Sequence, residues 1–247
     1  MLWRYREIQV LITMQHIYCQ RDHLETLCFD HDGDPIERLN YYLATQPRLP
    51  LRWRNRITIV VGSPWARCLV LPWQSSLSGK DSEWKAYASG LLRAQGVHED
   101  VRISLTPPSF GQARLASTLD TNWLSQLHHS VTTYGWTLTE CVDLYTFNLR
   151  RHSDILKFNQ KNLIMLEPNM LHCFWCGEQG WTDMLSLKTS PEQTLENTVY
   201  VAEILADQPI GQTYYWLTAY NSNSWVLPDN AQLLGYVHPL LEHTSCL

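Results

Sequence analysis

The apolar run Ile57-Thr58-Ile59-Val60-Val61 constrains the fold of this 247-residue chain more than any other sequence feature. It is apolar on both faces of a predicted strand, and a second such run follows at Cys68–Leu71. Strands of this kind occur where helices cover both sides of a sheet. We therefore predict an α/β protein and place both runs at the centre of a sheet.

Amphipathic helices are predicted around these runs. In each, apolar residues recur with the helical spacing i, i+3, i+4 and i+7 along one face. Two of them begin with a capping residue followed by proline, which suits the first helical position because its missing N–H has no intrahelical partner there. The predicted helices are Pro35 to near Pro47 with Asp34 as cap, Ser82–Gln95, Asp120–Gly135, and one opened by Ser190-Pro191.

Apolar or alternating runs predict the remaining strands. These are Ile8–Tyr18, His23–Phe29, Val101–Leu105, Ala113–Leu119, Thr137–Val142, Leu163–Leu166, Leu171–Trp175, Trp181–Leu187 and Tyr214–Thr218. The first two are expected to pair as a hairpin through a turn at Cys19–Asp22. The polar stretch Arg150–Lys161 predicts a boundary between an N-terminal lobe of residues 1–150 and a smaller lobe of residues 151–247. No structure is predicted for Asn221–Leu247.

Charge and cysteine content favour an intracellular protein that binds neither nucleic acid nor anionic lipid broadly. The formal net charge is −5, and the sequence pI is about 6.0. The N-terminus does not resemble a secretory signal, and no apolar stretch reaches the roughly 18 residues of a membrane helix. The seven cysteines are scattered through apolar runs, which is typical of reduced thiols in a core. We expect a cytoplasmic protein.

Two motifs suggest metal sites, and each has a simpler interpretation. Cys173 and Cys176 form a Cys-x-x-Cys pair, but on a strand side chains at odd separation point to opposite faces. The residues Asp30–Asp34 resemble the start of a calcium loop, but Pro35 and Tyr41 stand where such a loop needs glycine and glutamate. We interpret the first as core cysteines and the second as a strand-to-helix turn, and we assign no metal ligands.

No catalytic or cofactor-binding residues are assigned either. Gly62-Ser63-Pro64 lacks the Gly-x-Ser-x-Gly frame of a nucleophile elbow, and no phosphate-binding Gly-x-x-x-x-Gly-Lys-Ser/Thr motif occurs. The basic cluster Arg48, Arg52, Arg54 and Arg56 with Trp53 could bind phosphate and stack a base. Its alternative interpretation is a solvated approach to the strand at Ile57.

Several short motifs resemble a bacterial family similar in layout to PilM, the actin-like cytoplasmic protein of type IV pilus assembly, and to the cytoplasmic domain of the type II secretion component GspL. They cover about two thirds of the chain. They are Ile59–Ser63, Arg67, Leu71-Pro72-Trp73, Glu83-Trp84, Tyr87-Ala88, Arg114-Leu115-Ala116, Leu119-Asp120, Phe147-Asn148, Leu166-Glu167-Pro168 and Gly180-Trp181.

The resemblance implies a ribonuclease-H-like, actin-like ATPase fold in two lobes, with mixed sheets flanked by helices. It also implies a scaffold role in which the protein grips the tail of an inner-membrane component or contacts the assembly ATPase. Actin-like nucleotide binders use glycine in two phosphate-binding hairpins, because backbone N–H groups must approach the phosphates closely. The corresponding turns here, Cys19–His23 and Glu167–Met170, contain no glycine, which indicates a degenerate nucleotide site.

Three functions follow as hypotheses. The preferred one is a non-enzymatic cytoplasmic adaptor or regulator of type IV pilus or related secretion machinery, which binds no cofactor. The alternatives are an active actin-like ATPase and a nucleic-acid-binding protein that uses Arg48–Arg56. The residues proposed for a protein contact are Arg67, Trp73 and Trp84, which lie in the family-like motifs. The oligomeric state stays open.

Overall fold

A computed structural model describes residues 5–77, 79–98, 100–155, 162–178, 180–190, 194–219 and 230–242. Its strands are β1 (Arg6–Ile12), β2 (His16–Arg21), β3 (Leu27–Asp30), β4 (Asn55–Val61), β5 (Ala66–Leu71), β6 (Val101–Leu105), β7 (Arg114–Asp120), β8 (Thr137–Asp143), β9 (Asn162–Glu167), β10 (Met170–Gly177), β11 (Gly180–Lys188), β12 (Tyr214–Thr218) and β13 (Ala231–Tyr236). Its helices are α1 (Pro35–Thr45), α2 (Asp81–Ala94), α3 (Thr121–Thr133), α4 (Leu144–Arg151) and α5 (Leu195–Leu205).

Two sheets share one topology. Among the described residues, the strand order is β3-β2-β1-β4-β8 in the first sheet and β11-β10-β9-β12-β13 in the second. Each contains an antiparallel meander followed by two parallel strands. A helix, α1 or α5, connects the third strand of each sheet to the fourth. The sheets define a first and a second lobe on either side of Arg150–Lys161, and the exact division at residue 150 stays a prediction.

A third sheet, of order β5-β7-β6, is inserted between β4 and β8. It packs against α2 around a core of its own that includes Trp84 and Leu92. The predicted central position of Cys68–Leu71 is wrong, because β5 is an edge strand of this antiparallel sheet. The run is apolar on both faces because β5 also contacts β11 of the second lobe.

The largest hydrophobic core is continuous across both lobes. It joins residues of the first sheet such as Ile12 and Val61 to residues of the second such as Met165 and Leu217, all 0% exposed. A separate cluster lies under α5 and includes Cys173 and Trp175.

The predicted strand Ile8–Tyr18 is wrong in one respect, since it is two strands that reverse at Thr13–Gln15. Thr13 closes this turn, because its hydroxyl donates to the His16 carbonyl and accepts from the His16 N–H. The sequence did not predict this turn because it contains no glycine, proline or asparagine. The predicted turn at Cys19–Asp22 is mostly strand β2, and the chain reverses after Asp22, whose φ is 47°.

The helix predictions hold, with local corrections. Asp34 caps α1 by accepting from the N–H groups of Ile36 and Glu37, which confirms the strand-to-helix turn. The helix predicted to open at Ser190-Pro191 begins instead at Leu195 with Thr194 as its cap, and residues 191–193 lie outside the described part. Neither α4 nor β13 was predicted.

Candidate functional site

The carboxylate of Glu167 fills the junction between the two lobes. Glu167 ends β9, is 0% exposed, and accepts hydrogen bonds from both lobes. The backbone N–H of Ser63, which follows β4, donates to Glu167 Oε2 at 3.1 Å. His172 Nε2, in β10, lies 2.9 Å from Glu167 Oε1. Each carboxylate oxygen therefore has a buried partner.

His172 is itself held on its other nitrogen. His172 is 0% exposed, and its Nδ1 lies 2.7 Å from Ser186 Oγ on the neighbouring strand β11. A neutral imidazole that donates from Nε2 to the carboxylate and accepts at Nδ1 from the serine satisfies both contacts. The ring of Tyr145, from α4, packs edge-on against His172 with centroids 5.1 Å apart. We call Ser63, Tyr145, Glu167, His172 and Ser186 the junction network.

Burial keeps the tyrosine of this network protonated. Desolvation, and next the nearby charge of Glu167, raise the pKa of Tyr145 well above its usual range. Its hydroxyl therefore stays neutral, and it lies 3.5 Å from His172 Nδ1, beyond the closer Ser186 hydroxyl. The first lobe thus contributes a backbone N–H and a phenol to a buried carboxylate and imidazole of the second.

Gly62 is required by the position of this carboxylate. A Cβ at residue 62 would lie 2.2 Å from Glu167 Oε2, a separation that real Cβ atoms do not adopt. The Gly62 N–H also donates to the Ile12 carbonyl at 2.8 Å. The end of β4 therefore lies directly against the side chain that closes the junction.

The turn between β1 and β2 and the turn between β9 and β10 touch each other. The first is Thr13–Gln15, whereas the sequence placed the first hairpin turn at Cys19–His23. The second lies at Glu167–Met170, as predicted. Asn169 Nδ2 donates to Gln15 Oε1 at 2.6 Å, so the side chains at the two turns bridge the space between them. Neither turn contains glycine, and Asn169 adopts a φ of 64°.

A cavity of about 430 Å³ lies beside the junction network. It is bounded by the third sheet, by α4 and by the β10–β11 hairpin. Its apolar lining includes Cys68, Leu115 and Leu149. Tyr145 lines this cavity as well as contacting His172, and Arg150 and Glu178 also belong to its lining. It can accept a short, mainly apolar segment with a polar or charged end.

Two thiols line this cavity, Cys68 and Cys176, and the more deeply placed Cys68 is a poor nucleophile. Burial, followed by the charge of Asp143, raises the pKa of Cys68 far above its usual value. Asp143 is occupied by structural contacts, since it caps α4 through the Thr146 N–H and accepts from the Ser117 hydroxyl at 2.6 Å.

The predicted contact residues have different environments. Trp84 is 1% exposed and belongs to the core under α2, so it is not available to a partner. Trp73 is half-buried and contacts Trp84 and Phe110, with ring centroids 5.9 and 5.3 Å apart. Arg67 is exposed on β5. A contact role for Arg67 and Trp73 stays a prediction.

The Cys-x-x-Cys pair diverges as its strand position predicts. Cys173 packs into the core under α5, whereas Cys176 lines the cavity on the other side, and both are free thiols. Across the described ranges no group of three or more His, Cys, Asp or Glu side chains could hold a metal ion. The basic cluster lies at the opposite end of β4 from the junction.

The junction network has the connectivity of a proton relay, from serine to imidazole to carboxylate. A hydrolytic site also needs room for a substrate beside the nucleophile and donors for the oxyanion. Ser186 lies on β11 directly opposite His172 and lines neither the 430 Å³ cavity nor the groove between α1 and α3. The network is therefore suited to holding the lobes together.

Comparisons with known proteins identify the architecture. The chain aligns with the cytoplasmic domain of EpsL, an inner-membrane component of the type II secretion system of Vibrio cholerae. The TM-score is 0.54 and the identity 13%, over 96% of this chain and 93% of that one. It aligns with a Bacteroides thetaiotaomicron protein of actin-like ATPase fold and unknown function, with a TM-score of 0.58 and 6% identity over 90% and 85% of the two chains.

A chain of the PilM–PilN type IV pilus biogenesis complex aligns with a TM-score of 0.58 and 7% identity, over 87% of this chain and 82% of that one. The chain has an actin-like fold. This confirms the fold that the sequence motifs imply, including its likeness to the PilM and GspL class. No protein family profile matches the sequence, and no curated protein matches it either.

One further structural finding bears on the membrane. None of the helices in the described part of this actin-like chain is long and apolar enough to span a bilayer.

The sequence placed Glu167 in a family-like motif but assigned no role to Glu167 or His172. A signal was present, because an acidic residue and a histidine interrupt two apolar runs on either side of a Pro-Asn turn. In the hairpin Glu167 pairs with Met170, and His172 pairs with Met165. Since alternate residues share a face, this register places both polar side chains on one face of the sheet.

Proposed function

We propose that this chain is a non-enzymatic cytoplasmic adaptor or regulator in a type IV pilus or type II secretion machinery. Its task would be to bind a protein partner, either the tail of an inner-membrane component or the assembly ATPase. The actin-like fold gives the framework, and the likeness to the EpsL cytoplasmic domain and to a chain of the PilM–PilN complex suggests the setting.

The observation that carries the proposal is the filled junction between the lobes. The phosphate oxygens of a nucleoside triphosphate are bound by backbone N–H groups that approach them closely, usually in glycine-rich turns. Here the Ser63 N–H already donates to the Glu167 carboxylate, and Asn169 bridges to Gln15 across the turns. A phosphate entering this space would meet a carboxylate oxygen, and the like charges repel.

The 430 Å³ cavity supports protein binding as the alternative use of the fold. Ligand pockets are concave and mainly apolar, with a few polar groups that fix the orientation of the ligand. The lining described above fits that description, with Leu115 and Leu149 as apolar walls and Arg150 and Glu178 as opposite charges. We therefore propose this cavity as the site for the partner's tail.

The first test concerns nucleotide. A ligand that binds only the folded state raises its free energy of unfolding, by about 2.7 kcal/mol when present at about a hundred times its Kd. We expect no rise in the melting temperature of the protein with millimolar Mg-ATP, and no release of phosphate. A reproducible rise together with phosphate release would reject the non-enzymatic assignment in favour of an active ATPase, and a rise alone would show that the junction still admits nucleotide.

The second test concerns the partner. Affinity-tagged protein is expressed in its native cell, and the co-purified proteins are identified by mass spectrometry. We expect an inner-membrane component or motor of a pilus or secretion system. Gln112→Trp, which places a large side chain at the cavity, should reduce this recovery, whereas Gln95→Trp, at the end of α2 and outside the cavity, should not. Repeated recovery without any such component would contradict the proposal.

A further inference from the structure

A cluster of arginines and aromatic rings forms a basic surface at the start of β4. It comprises Arg48, Arg52, Arg54 and Arg56 with Tyr5 and Trp53, and we call it the arginine surface. The segment around it contains no acidic residue between Glu37 and Asp81, while it includes Arg38, Arg48, Arg52, Arg54, Arg56, Arg67 and Lys80. The chain as a whole carries a net charge of −5, so this concentration of positive charge is local.

The side chains of this surface are stacked in a fixed order. The Arg56 guanidinium lies over the Tyr5 ring at 4.1 Å from its centroid. The Tyr5 ring meets the Trp53 ring edge-on at 5.9 Å. The Arg54 guanidinium lies over Trp53 at 4.9 Å. Each cation is held by a ring face, so the guanidinium groups are positioned before any partner arrives.

Exposure and the lack of an ion pair leave Arg52 and Arg56, within the described part of the chain, available to a ligand. Trp53 is 45% and Tyr5 39% exposed, and Arg52 and Arg56 are both exposed. Over the ranges that the structure covers, no carboxylate lies within 4 Å of Arg52 or Arg56. Glu7 pairs with Arg56 in the strand register without forming an ion pair to it.

We infer that the arginine surface binds an acidic segment of a partner protein. A guanidinium that stacks on a ring still presents its N–H edge, and this planar fork matches the two oxygens of a carboxylate. Arg54 and Arg56 cover one face of each ring, which leaves fewer ring faces on which the bases of single-stranded nucleic acid could stack. The net charge of −5 also opposes a long polyanion such as DNA.

This surface is separate from the site used in the proposed function. It lies at the N-terminal end of β4, while Gly62 and Ser63 lie beyond its C-terminal end. A strand of seven residues spans roughly 20 Å. Changes at Arg52 or Arg56 therefore leave the junction network and the cavity unaltered, and the two proposals can fail independently.

The test uses a fluorescein-labelled peptide of alternating glutamate and glycine and a matched peptide with glutamine in place of glutamate. We expect the purified protein to bind the glutamate peptide at low salt and to bind it more weakly as salt rises from about 50 to 300 mM. Arg52→Glu with Arg56→Glu should weaken binding by at least about tenfold. The control pair Arg38→Glu with Arg93→Glu makes the same change in net charge and should alter binding by less than about threefold.

Three results would overturn the inference. One is equal binding of the glutamate and glutamine peptides, and another is wild-type affinity in the Arg52/Arg56 variant. The third is tighter binding of oligothymidylate or of phosphatidylglycerol vesicles that is lost in the same variant, which would assign the surface to nucleic acid or to membrane. If charge reversal prevents folding, Arg52→Gln with Arg56→Gln removes the charge alone and should still weaken binding of the glutamate peptide.

Discussion

Replacing Glu167 with alanine should destabilise the protein by several kcal/mol. The substitution removes the acceptor of two buried donors, the Ser63 N–H at 3.1 Å and the His172 Nε2–H at 2.9 Å. A buried donor without a partner costs about 1–3 kcal/mol, so the two together cost roughly 2–6 kcal/mol.

Two assays measure this loss, both followed by tryptophan fluorescence and circular dichroism. Equilibrium unfolding in guanidinium chloride gives the free energy of unfolding, and thermal unfolding gives the melting temperature. For a domain of this size each kcal/mol corresponds to about 2–4 °C in melting temperature, so a loss of about 4 kcal/mol lowers it by roughly 8–16 °C. Glu167→Gln keeps an oxygen acceptor and nearly the same volume, and we expect it to lose less stability than the alanine variant.

A matched control separates this effect from the general loss of a carboxylate. Glu25 is exposed in the loop between β2 and β3, and Glu25→Ala should change the free energy of unfolding by no more than about 0.5 kcal/mol. If Glu167→Ala lost less than about 1 kcal/mol, the carboxylate would not be holding the two lobes together. The account of the filled junction would then be wrong.

Three further predictions use other parts of the molecule. Gly62→Ala should cost about 1–3 kcal/mol because its Cβ would lie 2.2 Å from Glu167 Oε2. In a Glu167→Ala background the cost should be clearly smaller, and equal costs in both backgrounds would refute this contact. Burial, and next a nearby arginine, lower the pKa of His238 from 6.5 to about 3. The unfolded chain therefore takes up the proton first, so stability is lost as pH falls below 6.5, by roughly 2 kcal/mol at pH 5. The free energy of unfolding, measured at pH 7 and pH 5, should fall less in His238→Asn than in the wild-type protein. The same fall in both proteins would contradict this assignment. Tyr214→Phe removes a hydroxyl that donates to Glu203 at 2.8 Å. It should lower the free energy of unfolding by about 1–3 kcal/mol in chemical denaturation. No change in that free energy would show that this buried contact is not stabilising.

Features whose causes lie within a few residues were predictable. The cap at Asp34 and the end of α3 before Gly135 depend on local hydrogen bonds and backbone preference, and both were placed correctly. The turn at Thr13–Gln15 was missed because a threonine hydroxyl closes it in place of the usual turn residues. The fold itself came from a resemblance of short motifs, and the structural comparisons confirm it.

The sequence by itself determined most of the helices and strands and which of their faces are apolar, since periodicity reports burial. It did not determine what lies against each face. It did not show that β5 lies at a sheet edge, that the two turns touch, or that Glu167 meets Ser63. These contacts join residues far apart in the chain, and Glu167 and Ser63 are 104 positions apart. Such contacts depend on how sheets pack, and a hydrophobic pattern carries no information about the partner surface. The tertiary structure therefore decided that a carboxylate of the second lobe closes the junction against the first.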